Sequence, residues 1–191
     1  MTILILNASP RKRGVTTSTL RAIAEGATVE HEIEWVEVNR LSIRPCTGCL
    51  RCRPDKVCIL PRDDAHRIGE LIETSDFLIV GTPTYWGNMT GPLKLLFDRN
   101  VPRFEYVGEG LVPRPRQRGK GAILVVVSAA PWPFNLLPSQ SRGAVRAVRT
   151  VLRAGGYHIV KRLNVANANE FDRVREQVLR RAERLGRKIR L

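Results

Sequence analysis

Residues 77–80 (FLIV) and 122–127 (AILVVV) are apolar at every position. A strand with one solvated face alternates apolar and polar side chains. An unbroken apolar run therefore fits a strand covered on both faces, as in a parallel sheet. Parallel neighbours need a long crossover, usually a helix, and the chain supplies helical spacing between its strand-like runs. Residues 2–7 (TILILN), 32–38 (EIEWVEV), 77–80, 122–127 and 157–163 read as strands. Helical spacing falls at 17–25, from Asp63 or Asp64 through Ile72, at 93–97, at 139–154 and at 170–188. This alternation predicts an α/β, doubly wound sheet with helices on both faces. At 191 residues the chain fits a single domain, 1–191. Within it, 101–120 is polar, with Pro113, Pro115 and several arginines, and is expected as an exposed excursion.

In such a sheet, ligands sit outside the carboxyl ends of the strands, where the strand order switches. Three loops leave those ends with unusual composition. The first, NASPRKRGVTTS (7–18), has neither the G-x-G-x-x-G of a dinucleotide fold nor the G-K-[ST] of a P-loop. It offers the hydroxyls of Ser9, Thr16 and Thr17, the charges of Arg11 and Lys12, and the start of a helix. Together these suit one phosphate; the plain alternative is a polar turn with a helix cap. The second, TPTYWGN (82–88), sets Pro83, Thr84, Tyr85, Trp86, Gly87 and Asn88 after FLIV. Its flat side chains and closely approaching backbone suit a planar ring, or else two aromatics that plug the core. In the third, SAAPWPFN (128–135), the small Ser128, Ala129 and Ala130 leave room for a ring edge that Trp132 and Phe134 wall in, unless they form a hydrophobic corner. One phosphate grip and one flat slot describe FMN better than NAD, which requires a pyrophosphate grip.

All four cysteines, Cys46, Cys49, Cys52 and Cys58, lie within residues 45–58. The first residues show no basic leader or cleavage pattern, and no run approaches the roughly 18 apolar residues that cross a bilayer. A cytoplasmic location without membrane contact is therefore expected. Thiols stay reduced there, which favours metal binding over disulfides. Lys and Arg number 32 against 18 Asp and Glu, a formal net charge of +14. That charge allows a nucleic-acid partner. However, the basic residues are scattered and no nucleic-acid motif accompanies them, so a solvated, Arg-rich surface is favoured.

SPRK (9–12), PTYWGN (83–88) followed by LKLLFDR (93–99), and the cysteine loop followed by Asp63 and Asp64 give the chain a family likeness. Over roughly residues 2–165 it resembles the flavodoxin-like NADPH-dependent FMN reductase family. The spacing C-x2-C-x2-C-x5-C resembles that of iron–sulfur flavoproteins, a branch in which one 4Fe–4S cluster sits near FMN. The resemblance implies a five-stranded parallel sheet of order 2-1-3-4-5. It implies FMN phosphate contacts from Ser9, Arg11, Val15, Thr16 and Thr17, and ring contacts from Pro83, Thr84, Tyr85, Trp86, Gly87, Asn88, Ser128, Ala129 and Ala130. Val15 stands where the family commonly has Asn, and SAAPWPFN replaces the more polar, Gly-rich third loop of the iron–sulfur branch. The four cysteines become cluster ligands, and the compact C-x2-C-x2-C core suits that. Zinc, which usually takes two C-x2-C pairs a dozen or more residues apart, and free or redox-active thiols are the alternatives. Arg44, Arg51, Arg53 and Lys56 lie among the cysteines, either to raise the cluster's potential or to keep the loop soluble.

The function implied is an oxidoreductase that passes electrons between FMN and the cluster. Its donor is ferredoxin or NAD(P)H, and its acceptor a quinone, oxygen or flavin. The flavin does the chemistry, so no catalytic side chain is expected. A homodimer or homotetramer is implied. The other readings are a cluster-free NAD(P)H-dependent FMN or quinone reductase, and a basic nucleic-acid-associated protein on the same scaffold.

Overall fold

A computed structural model describes residues 1–53, 57–107 and 112–190. The elements run β1 (Thr2–Asn7), α1 (Val15–Ala27), β2 (Glu32–Glu37), α2 (Asp64–Thr74), β3 (Phe77–Pro83), α3 (Gly91–Arg99), α4 (Val101–Phe104), β4 (Glu105–Val107), β5 (Pro113–Pro115), β6 (Gly121–Val127), α5 (Ser141–Ala154), β7 (His158–Val165) and α6 (Phe171–Gly186). The main sheet has order β2-β1-β3-β6-β7, and every pairing in it is parallel. Counted over these five strands, this is the expected 2-1-3-4-5. The order switches between β1 and β3, so their carboxyl ends diverge into a crevice.

The pleat sends alternate residues of each strand to opposite faces. Leu4, Leu6, Leu78, Val80, Leu124 and Val126 pack with Ile68 and Ile72 of α2, Leu93 and Leu96 of α3, and Val148 and Leu152 of α5. On the other face Ile3, Ile5, Ile79, Ile123 and Val125 meet Leu20 and Ile23 of α1 and Ala182 of α6. This two-faced burial explains why FLIV and AILVVV lack alternation. Helices α1 and α6 cross with their backbones in close approach. A Cβ on Gly26 would lie 2.1 Å from the Glu183 carbonyl oxygen, and one on Gly186 would lie 2.0 Å from that of Ile23. Only glycine permits that spacing on either side.

The stretch 101–120 corrects one expectation, because it is not an exposed excursion along its length. Phe104 is 2% exposed and packs edge-on against Phe97, with ring centroids 5.5 Å apart. Gln117 is buried, and its Nε2 donates to the Arg103 carbonyl at 2.7 Å. β4 and β5 form an antiparallel ribbon, on which the Arg116 guanidinium lies 4.6 Å from the Tyr106 ring centre. Average polarity hid these single anchors. Residues 108–111, and 54–56 with the expected cation Lys56, lie outside the described residues. Among the described residues no helix is long and apolar enough to cross a membrane.

Candidate functional site

A cleft of about 160 Å³ opens over the carboxyl ends of β1, β3 and β6. Ser9, Arg11, Val15, Thr16, Pro83, Thr84, Tyr85 and Ala129 line it, so all three loops meet there. Gly14 is the N-cap of α1 and supplies no side-chain cap. The first amides of a helix have no partner inside it, and they carry the positive end of its dipole. Gly14, Val15 and Thr16 line the cleft, which puts that end where an anion can use it. Arg11 is exposed at the rim, and Thr16 is buried.

Thr17 behaves differently from Thr16. Its hydroxyl donates to the Arg11 carbonyl at 2.8 Å and accepts from Asn7 Nδ2 at 3.1 Å. It is fully buried and does not line the cleft; only its amide, in the first turn of α1, belongs to the anion end. Ser9 Oγ accepts from the Arg11 amide at 3.2 Å, and the Ser9 amide donates to Asn7 Oδ1 at 3.1 Å. The loop is thus braced from beneath by Asn7 and Thr17 before any ligand arrives.

In the second loop, Tyr85 and Asn88 exchange backbone hydrogen bonds of 3.0 and 2.9 Å. The turn they close has Trp86 at φ 51° and Gly87 at φ 70°. Two left-handed corners are the geometry of a tight two-residue turn, which glycine adopts freely and tryptophan does not. Trp86 stands fully exposed at the tip, so it does not plug the core. Gly87 is tied to its place, since a Cβ there would come 2.9 Å from the Ser139 backbone. The Thr84 amide donates to the Val127 carbonyl at 2.8 Å, while its Oγ1 is buried without a hydrogen-bond partner among the described residues. A buried hydroxyl left unpaired is costly, and one in a cleft wall fits a polar ring edge.

The third loop contributes less than its sequence implies. Ser128 is buried, and its Oγ accepts from the Ala130 amide at 3.2 Å. Ala129 reaches the cleft. Ser128 and Ala130 do not, and Trp132 and Phe134 point into solvent instead of walling it. Sequence reasoning missed Gly14, Val127, Ala168 and Asn169, which also line the cleft. The last two leave the carboxyl end of β7, and the Ala168 amide donates to the Ser128 carbonyl at 3.0 Å. The rule that pointed to three strand ends applied to this fourth one as well.

All four cysteines line a second cleft of about 120 Å³, together with Asp98, Arg99, Val101 and Pro102. The thiols are free, and among the described residues no three His, Cys, Asp or Glu side chains are set to hold a metal ion. The loop nonetheless turns donors toward sulfur. The Gly48 amide donates to Cys46 Sγ at 3.5 Å. The Arg51 amide and then the Thr47 hydroxyl hold the exposed Cys49 thiol below its ordinary value. Burial, followed by the neighbouring cysteines, pushes Cys52 up. Four soft donors around one cleft, with N–H groups aimed at sulfur, fit a thiolate-bound cluster in chemistry.

Beneath this loop lies a polar node that the sequence did not reveal. Asp63 caps α2 and accepts from the Ala65 amide at 3.1 Å. Its carboxylate pairs with Arg99 through bonds of 2.7 and 3.2 Å, and it accepts from the Arg44 amide at 3.0 Å. Burial alone would raise the Asp63 carboxyl, but Arg99 and the Arg44 amide outweigh it and hold it below the usual carboxylate range. His66 accepts from the Asp63 amide at Nδ1, at 3.2 Å, which leaves Nε2 to donate to the Cys58 carbonyl at 3.0 Å.

Comparison with known proteins agrees with this architecture. A family model described as NADPH-dependent FMN reductase matches residues 1–172. An iron-sulfur flavoprotein from Archaeoglobus fulgidus is 30% identical over 187 residues, covering 95% of this chain and 75% of the relative. Another from the same organism is 38% identical over 101 residues, covering 52% of this chain and 49% of the relative. The chain spans about half the length of the first curated relatives it matches. Among solved structures, Smu.1420 from Streptococcus mutans UA159 has a TM-score of 0.80 at 19% identity, covering 99% of this chain and 100% of that one. NAD(P)H:quinone oxidoreductase from Methanothermobacter marburgensis has a TM-score of 0.78 at 22% identity, covering 98% and 96%. The structural matches establish the flavodoxin-like fold. Since the family model spans every strand that builds the cleft, the chain belongs to the NADPH-dependent FMN reductase family of oxidoreductases.

Proposed function

We propose that the chain binds FMN in the first cleft, takes electrons from NAD(P)H or a ferredoxin, and exchanges them with a 4Fe–4S cluster held by Cys46, Cys49, Cys52 and Cys58. The reading is carried by the placement of the two clefts at the ends of one short helix. α3 starts just past the Tyr85–Asn88 turn and ends at Arg99 in the cysteine cleft. Nine helical residues span about 13 Å, so the two centres would be close within one chain. When bound, the flavin supplies two-electron chemistry and the cluster one-electron exchange. The protein's part is to seat them. The α1 amides and Arg11 take the phosphate, Thr84 meets the ring edge, Pro83 and Tyr85 with Ala129 shape the slot, and loop amides face the sulfurs. A quinone, oxygen or free flavin is the proposed acceptor class, and a homo-oligomer in the reducing cytoplasm the proposed setting.

Anaerobic purification, an absorption spectrum, and iron and sulfide analysis test this together. Flavin bands with about four iron and four sulfide per chain are expected. Flavin with near-zero iron after anaerobic reconstitution leaves the cluster-free reductase reading. Loss of both signals overturns the proposal.

A further inference from the structure

The cysteine loop is pinned at both stems by the buried node under it. On one side Asp63 accepts from the Arg44 amide, and Arg99 Nη1 donates to the Arg44 carbonyl at 2.5 Å. On the other, His66 Nε2 donates to the Cys58 carbonyl. The Arg99 side chain is 0% exposed and that of Asp63 10%. Arg99 lines the cysteine cleft, and its guanidinium also hydrogen-bonds the Cys58 side chain. Its Nε is buried without a partner among the described residues, so the guanidinium is not saturated by the protein. The cations near the cysteines in sequence are weaker candidates for a role here. Arg44 and Arg51 are exposed, and Arg53, 42% exposed, stands 3.8 Å from Glu105. Solvent and salt screen exposed charges, whereas a buried charge in contact with sulfur is screened far less.

We propose that Arg99 is the positioning residue of the cysteine cleft: oriented by Asp63, it fixes Cys58 and sets the redox potential of the cluster bound there. This rests on the cluster reading above. Reduction adds one electron, and hence one negative charge, to the cluster. A cation that touches a ligand sulfur therefore favours the reduced form, and hydrogen bonds to the sulfurs act in the same direction. Asp63 works against it, because its carboxylate sits on the same guanidinium and offsets part of its charge. The two residues consequently have opposite signs at the cluster while sharing one structural task.

The experiment compares anaerobically reconstituted wild type, Arg99→Gln, Arg99→Lys, Asp63→Asn and the double variant Asp63→Asn/Arg99→Gln. The readouts are the cluster midpoint potential by EPR-monitored titration and the rate of iron loss to a chelator. Arg99→Gln is expected to move the potential to a more negative value, and Asp63→Asn to a less negative one. Arg99→Lys keeps the charge and stays near wild type. Iron loss in Arg99→Gln is expected to speed up by roughly tenfold or more, as for loss of a charge-assisted hydrogen bond. If Arg99→Gln does not fold, the double variant leaves no charge unpaired, and its potential should lie negative of Asp63→Asn alone. Shifts of one sign in Arg99→Gln and Asp63→Asn, or none, leave a merely structural node and overturn the proposal with the cluster intact. A wild type that takes up no iron overturns the cluster reading first, and this one with it.

Discussion

Thr16 and Thr17 carry the same side chain one residue apart, and α1 turns them about 100° from each other. That angle separates the cleft wall from the brace under the loop. Arg11→Ala should weaken FMN binding about ten- to a hundredfold, the size of one charge-assisted contact, and leave the melting temperature unchanged. Thr17→Val should do the reverse. It strands Asn7 Nδ2 and the Arg11 carbonyl, a loss of about 1–3 kcal/mol in stability, with a smaller effect on affinity. Fluorescence titration and thermal unfolding separate the two, and an unchanged affinity in Arg11→Ala takes Arg11 out of the site. The sequence shows which residues can bind a phosphate but not which way each one faces. That is why Ser9, Arg11 and Thr16 were legible as cleft residues, while the inward hydroxyl of Thr17 was not.

At the scale of elements, strands were legible because burial on both faces writes itself as apolar runs, and helices because one face does so at helical spacing. The segment 101–120 was not, since two anchors, Phe104 and Gln117, are too few to change its average character. Helix α2 shows how much one terminal residue can carry. Asp63 caps it, neutralises Arg99 and holds the cysteine loop. Its folded-state pKa is depressed below the unfolded value of about 3.9. The stability it contributes is therefore fully present above that value and is lost as pH falls through the folded one. Urea unfolding of Asp63→Ala at pH 7 should show a loss of about 3–5 kcal/mol, because Arg99 is left buried and unpaired. The gap between wild type and variant should narrow below about pH 4. A gap that stays constant with pH would mean the carboxylate charge is not what the fold uses.

For the whole molecule, the exposed apolar side chains are concentrated near the flavin end. Trp86, Trp132, Phe134, Leu136 and Leu137 stand out of the surface, and Gly87 packs on Ser139 beside them. Large exposed aromatics in one region mark an interaction surface. Sedimentation should find a dimer or tetramer at micromolar concentration, and Trp132→Ser with Phe134→Ser should shift it toward monomer; a monomeric wild type would rule this out. The strand order was legible from the alternation of elements and the family likeness, whereas the contact of Arg99 with Cys58 joins residues far apart in the chain and leaves no local pattern. Helix α3 carries a last consequence, one for how such a chain can change in length. Loops absorb insertions at only about 0.6 kcal/mol per doubling of their length. α3 has no such tolerance, because one added residue would turn Arg99 by about 100° and advance it 1.5 Å, away from both Asp63 and Cys58. Insertions and deletions should therefore be excluded between Met89 and Arg99, even where substitutions on the solvent face of the helix are free.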